Sequence, residues 1–334
     1  VTEIPGTVRG PFFDELEIGQ VFADSPSVTI TEGMRAVHRS IVGNRLPLAL
    51  DDGLARRVTG APFVQPSLVW DISIGQSTAV TQHVRANLFY RHLGFGRFPT
   101  VGDTLHTTTT VEALRENSVR EGRPPTGLAV LHIVTKDQTG SVVLDYLRCA
   151  MLLQSGLQVG TGRRDDLSSS VDVIDFGIEG DLRAWDLAAF RAAVPGEHFA
   201  AMTVGRRWQV KMPDLVSSAP ELARLTGNIA TIHHDARAAG GRRLVYGGHT
   251  IGLALHQMCL AVPTLVTVLR WEGCDHTGPV YEGDLLGASI EVVGRRALDM
   301  GGGIVDLHVE VDARRDDGSD GGRVLDWTLA AVVA

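Results

Sequence analysis

The chain repeats itself once, and that duplication limits its fold more than any other feature of its 334 residues. The spacing is roughly 180 residues, far too long for the unit of a stacked solenoid. Four landmarks recur in one order. Phe12-Phe13-Asp14-Glu15-Leu16-Glu17-Ile18-Gly19 matches Phe199-Ala200-Ala201-Met202-Thr203-Val204-Gly205. Gly43-Asn44 with Asp51 matches Gly227-Asn228 with Asp235. Gly102-Asp103-Thr104-Leu105 matches Gly283-Asp284-Leu285-Leu286. Leu131-His132 and then Val143-Leu144-Asp145 match Leu307-His308 and then Val324-Leu325-Asp326. Four matches in register imply two similar domains fused in one chain, 1–154 and 181–334, a division that suits the length. Residues 155–180, rich in Gly, Ser and Asp, read as the linker. The run Leu182 to Val194 has helical spacing through Leu182, Trp185, Leu187 and Phe190, and is placed to pack across the junction.

Each copy has the same coarse order: a short strand, a helical or irregular stretch carrying Gly-Asn, an apolar helix, then several long strands. The strand signal is clearest from Ile304 to Asp312, where Val305, Leu307, Val309 and Val311 alternate with Asp306, His308, Glu310 and Asp312. Turns at Asp137 to Gly140 and Asp316 to Gly322 join consecutive strands as hairpins, so the sheet is antiparallel. Gly301-Gly302-Gly303, between strand signals, reads as a hairpin or bulge. The helix predicted from Gly248 to Ala261 is apolar on most sides and must be buried. The fold class is therefore α+β. A long antiparallel sheet around one buried helix is the hotdog arrangement, and two fused copies make a double hotdog.

Composition excludes several functions. Hydrophobic residues make up 44% and charged residues 21%, as in ordinary globular domains. A net charge of −8 argues against a general nucleic-acid binder. No run of about 18 apolar residues suggests a membrane span, and Val1 to Gly10 lacks a signal-peptide pattern. Cys149, Cys259 and Cys274 have no metal-type spacing and read as buried reduced thiols of a cytoplasmic protein. There is no Gly-x-Ser-x-Gly elbow, Walker loop or His-Glu-x-x-His.

The segment richest in chemistry is Thr226-Gly227-Asn228-Ile229-Ala230-Thr231-Ile232-His233-His234-Asp235. It resembles the Gly-Asp-x-Asn-Pro-aliphatic-His-x-Asp signature of the MaoC-like family, which includes the (R)-specific enoyl-CoA hydratases. Gly227, Ile232, His233 and Asp235 fall on that pattern without a gap. In the first copy Gly43, Pro47, Leu48 and Asp51 fall on it, but Ala49 stands where the histidine belongs. Downstream, Tyr246-Gly247-Gly248-His249 resembles the family's Gly-containing helix start, and Gly278-Pro279-Val280-Tyr281-Glu282-Gly283-Asp284 its Pro-Val-x-x-Gly-Asp.

The resemblance implies hydration of a 2-enoyl thioester, or the reverse dehydration of a 3-hydroxyacyl thioester, at one site in the second half. It implies that the first half helps accommodate the acyl-CoA. His233 is the expected acid/base. Asn228 replaces the family's catalytic Asp; an amide cannot accept a proton at ordinary pH, so it is expected to orient water. Backbone N–H groups near Gly248 and His249 are expected to polarise the thioester carbonyl. Asp235 is a candidate substrate contact and also fits a helix cap, as does Asp51. Arg242 and Arg243 are candidates for a phosphate or a substrate carboxylate. Length and tandem arrangement resemble the mesaconyl-CoA hydratase branch, which implies a branched or dicarboxylic substrate. No metal is expected, and no cofactor apart from acyl-CoA as substrate. The partner is an acyl-CoA or acyl carrier protein thioester, and both a monomer and a homodimer fit. An acyl-CoA thioesterase and a non-catalytic acyl-thioester binder remain open on the same fold.

Overall fold

A computed structural model of the chain describes residues 8–156, 160–168 and 182–334. In the first half, β1 (Val21–Phe22) and β2 (Val28–Thr29) precede α1 (Glu32–Val42), α2 (Pro47–Leu50), α3 (Asp52–Thr59) and α4 (Pro66–Gln76). Four long strands follow: β3 (Val84–Phe95), β4 (Thr104–Glu116), β5 (Thr126–Lys136) and β6 (Val142–Leu153). The second half opens with α5 (Leu187–Ala193), then β7 (Arg207–Gln209), β8 (Asp214–Leu215), α6 (Ala219–Leu225), α7 (Thr231–His234) and α8 (Gly247–Ala261). It ends with β9 (Leu265–His276), β10 (Leu285–Ala297), β11 (Gly303–Arg314) and β12 (Asp320–Val333).

The strands form one antiparallel sheet in the order β1-β4-β5-β6-β3-β9-β12-β11-β10-β7, with β2 beside β4 and β8 beside β10. The order is the same outward from the centre in each half, as a duplicated chain requires. The halves join where β3 meets β9, through Phe89 opposite Asp275, Tyr90 opposite Cys274 and Gly94 opposite Arg270. Along β11 the side chains from Val305 to Val311 alternate between buried and half-buried, the period of two expected of a sheet with one covered face.

The paired landmarks do the same physical work in both copies. The Phe13 ring covers Gly127 and the Phe199 ring covers Gly303, each so closely that a Cβ on the glycine would sit inside the ring. Gly43 and Gly227 hold φ of 70° and 71°, the left-handed region open to glycine. Asp103 accepts the N–H of Thr100 at 2.8 Å and Asp284 that of Tyr281 at 2.9 Å, each closing a turn. His132 pairs with Asp145 at 2.6 Å and His308 with Asp326 at 3.0 Å.

Helices α4 and α8 are buried because apolar residues occupy most of their sides. Between them and the sheet lies an aromatic cluster that joins the halves. Trp70 of α4 meets Trp271 of β9 edge-on at 4.9 Å, and Trp271 meets Trp327 at 5.4 Å and Tyr90 at 5.6 Å. Such pairs add about 0.5–1.5 kcal/mol each beyond the area they bury. Trp185 packs on Phe63 and Phe98 of the first half, so the segment after the linker does cross the junction, although its helix begins only at Leu187. Part of the expected linker is described: Thr161 and Gly162 donate backbone N–H groups to Glu116, and Asp165 N–H bonds to Leu114. Residues 157–159 and 169–181 of that stretch lie outside the described residues, as do 1–7 of the N-terminus. The three cysteines are free and buried. Among the described residues no helix is long and apolar enough to cross a membrane.

Candidate active site

His233 is delivered to the site by a turn built from Gly227 and Asn228. With Gly227 at positive φ, the chain doubles back and Asn228 Oδ1 accepts the N–H of Ala230 at 3.0 Å. The first copy makes the same turn, with Asn44 Oδ1 accepting the N–H of Leu46 at 2.9 Å. The first half then grips the segment. Ile229 N–H donates to Thr78 Oγ1 and Thr231 N–H to the Gln82 carbonyl, both at 3.0 Å. Gly75 of α4 lies so close that a Cβ there would come within 1.8 Å of the Thr226 carbonyl oxygen.

His233 lines a cavity of about 370 Å³. Both halves contribute to it: Asn87, Tyr90 and Arg148 from the first, His233, Tyr246, Gly247 and His276 from the second. His233 Nδ1 lies 2.8 Å from the Leu244 carbonyl oxygen. A carbonyl can only accept, so Nδ1 carries the proton and Nε2 presents a bare lone pair. Burial pushes the His233 pKa down to about 4, the bond to Leu244 opposing and the Arg148 charge assisting. His276 is likewise pushed down to about 4 by burial, with Arg148 assisting. Both imidazoles are therefore neutral at pH 7. No carboxylate lines the cavity among the described residues, whereas Arg85 and Arg148 do.

Helix α8 begins at the cavity wall. Gly247 and Gly248 are its first residues, so their N–H groups have no acceptor within the helix. Gly247 is the one that lines the cavity, and a Cβ on it would come within 2.6 Å of His276 Nε2. Gly248 instead faces Asp71, whose carboxylate oxygen a Cβ would approach to 2.0 Å. Asp71, on α4, is fully buried; it lies 2.8 Å from His38 Nε2 and accepts from Tyr246 Oη at 3.2 Å. Gln65 Nε2 donates to His38 Nδ1 at 2.7 Å. Burial raises the Asp71 pKa, with His38 and then Tyr246 opposing. This network clamps Tyr246, the residue before α8, to the other half of the molecule.

Several expected site residues stand elsewhere. Asn228 does not line the cavity; its Oδ1 accepts the Ala230 N–H in the turn that carries His233. Gly248 and His249 are turned inward, one rotation step past Gly247. His249 is fully buried, its two ring nitrogens have no partner among the described residues, and burial pushes its pKa down to about 3. Asp235 accepts from Arg237 N–H at 2.9 Å and from its guanidinium, away from the cavity, and turns rather than a helix follow it. Asp51 does cap a helix, accepting Leu54 N–H at 2.9 Å. Arg243 pairs with Glu282 at 3.5 Å, and Arg242 is exposed, its guanidinium 4.3 Å from the centre of the Tyr281 ring on the cavity rim. The matching place in the first copy holds only a small cavity of about 150 Å³, where Arg35 donates to the Ala49 carbonyl at 3.1 Å and pairs with Glu32 and Asp52.

No family model matches the chain. It is 29% identical to β-methylmalyl-CoA dehydratase of Chloroflexus aurantiacus, covering 93% of this chain and 90% of that protein. It is 27% identical to mesaconyl-CoA hydratase of Cereibacter sphaeroides, covering 91% and 89%. A solved structure from Mycobacterium tuberculosis, described as a conserved hypothetical protein with a double hotdog fold, matches with a TM-score of 0.90 at 50% identity. It covers 97% of this chain and 99% of that one. The chain belongs to the same double-hotdog family as that protein. The fold of this double hotdog is the one expected from its duplication. Its sequence features missed Arg148, His276 and Asp71, which come from elements far from the motif. Arg148 had one visible signal: it is the only charge in the apolar run from Tyr146 to Leu153.

Proposed function

We propose that this protein is a hydro-lyase that adds water to a 2-enoyl-CoA, or removes it from the 3-hydroxyacyl-CoA, with a methyl-branched dicarboxylic acyl group. The observation that carries the reading is His233: neutral, its tautomer fixed by Leu244, and its free Nε2 in a cavity that the start of α8 also lines. Both curated relatives are named for CoA thioesters of methyl-branched dicarboxylic acids, one as a hydratase and one as a dehydratase.

In the hydration direction, His233 Nε2 takes a proton from water as its oxygen bonds to C3. The C2–C3 π electrons move towards the thioester carbonyl, whose oxygen gains negative charge. The N–H group of Gly247, at the positive end of α8, stabilises that charge. The His233 imidazolium then gives its proton to C2, so one residue handles both transfers and the net change is addition of water. His276 on the strand wall is the second imidazole that can hold the water. Arg85 and Arg242 at the rim supply cations for the phosphates of CoA. Arg85 also lines an adjoining cavity of about 600 Å³ with Arg120 and Arg123, in line with a long phosphorylated carrier. One chain contributes both walls of the cavity, in line with an active monomer.

The test is a panel of 2-enoyl-CoAs, short, long, branched and dicarboxylic, followed by loss of the conjugated enoyl absorbance. Turnover of the branched dicarboxylic member, abolished in His233→Ala, is the expected result. Absence of turnover across the panel, or release of free thiol instead, overturns the proposal.

A further inference from the structure

Arg148 is a buried cation without a counter-charge. It lies on β6, is 4% exposed, and lines the cavity. Nε donates to Asn87 Oδ1 at 2.6 Å and Nη1 to Ser77 Oγ at 2.9 Å. Both acceptors are neutral, and no ion pair to Arg148 is present among the described residues. Among the described residues the other N–H groups of the fork have no acceptor. Removing a guanidinium from water without an anion costs several kcal/mol. The fold itself does not ask for one. The duplication aligns Asp145 with Asp326 and hence Arg148 with Leu329, a buried aliphatic residue on the matching strand. The second half fills this position with hydrocarbon; the first half holds a positive charge there beside the site.

Depth distinguishes Arg148 from the other cations. Arg242 is exposed over the Tyr281 ring, and Arg85 stands between the two cavities, donating to the Ala238 carbonyl. Those two are open to the phosphates of a carrier, while Arg148 lies on the sheet floor, held from behind by Asn87 and Ser77. We infer that Arg148 binds the free carboxylate at the far end of a dicarboxylic acyl-CoA and sets the specificity of the site for that class. The inference rests on the acyl-CoA reading above. Asn87 and Ser77 are the positioning residues: they fix the guanidinium plane so that its open edge meets the carboxylate in a two-point contact. Arg242 and Arg243, the cations suggested by the sequence, leave this role to a residue on another strand of the other half.

The experiment compares wild type, Arg148→Met and Arg148→Lys on two thioesters of the same carbon skeleton. One carries the distal carboxylate; the other has a methyl group in its place. The expected result is that Met lowers the ratio of kcat/KM, carboxylate over methyl, on the order of 10²-fold, and that Lys recovers part of it. Calorimetric binding of the saturated, unreactive analogues of both thioesters, and of CoA alone, runs in parallel. Wild type is expected to favour the dicarboxylic analogue, and Met to erase that preference while leaving the affinity for CoA in place. An unchanged ratio overturns the inference. So does an equal loss on both thioesters with weakened CoA binding, which would assign Arg148 to a carrier phosphate. If wild type turns over neither enoyl thioester, the hydro-lyase reading fails by itself. The binding arm then still decides Arg148, because a dicarboxylic preference lost in Met upholds it and its absence overturns it.

Discussion

The protonation state of His233 predicts an unusual pH profile. A solvated histidine with a pKa near 6.5 would be only about 9% neutral at pH 5.5, and a base of that kind would lose about tenfold of its rate there. Burial disfavours the imidazolium and holds His233 down to about 4. At that value it is about 97% neutral at pH 5.5. The acid limb of kcat/KM is therefore expected near pH 4, with a plateau through pH 5.5. Stability has the opposite tendency and must be separated from it. His233, His249 and His276 are all depressed in the fold, to about 4, 3 and 4. Above pH 6.5 they are neutral in both folded and unfolded chains and stability is at its full value. As pH falls below 6.5 the unfolded chain binds protons that the fold refuses, costing about 1.4 kcal/mol per pH unit for each histidine. The assay therefore holds enzyme at pH 7.5 and jumps it into each acidic buffer for initial rates. His233→Ala, run at pH 7.5, is expected to lose about 10²–10⁴-fold in kcat. A limb near pH 6.5, or His233→Ala with full turnover, would refute the reasoning.

Three other substitutions probe how the halves hold the site. Gly75→Ala places a Cβ 1.8 Å from the Thr226 carbonyl oxygen. It should cost about 1–3 kcal/mol in chemical denaturation and lower kcat by displacing the turn that carries His233; wild-type values of both would contradict this. Asp71→Ala leaves His38 and Tyr246 without their buried acceptor, and denaturation should show a loss of about 3–5 kcal/mol. Asn228→Ala removes one turn hydrogen bond, so about 1 kcal/mol of stability should go while kcat stays within a few-fold. A drop on the order of 10²-fold in kcat would instead make Asn228 the water anchor.

The double hotdog was legible because its signals are local and occur twice. Alternation along Ile304 to Asp312, the apolar run of α8 and the Gly-Asn turns are properties of a few neighbouring residues, and the first copy has its own apolar helix and Gly-Asn turn. His233 was legible for the same reason: the motif and the turn that delivers it are contiguous. The helix start shows where such reading stops. Two adjacent glycines look alike in a sequence, yet one helical step turns Gly247 to the cavity and Gly248 to Asp71.

By itself the sequence determined the duplication, the antiparallel sheets, the buried helices and a histidine in the second half. All follow from periodicity and turn chemistry that adjacent residues settle among themselves. Tertiary structure alone decided what surrounds that histidine. Pairing of β3 with β9 and close approach of α4 to the site turn place Arg148, His276 and Asp71 around it. The shifted pKa values of His276 and Asp71 come from burial between two halves, and burial is a property of the assembled pair rather than of either stretch of chain.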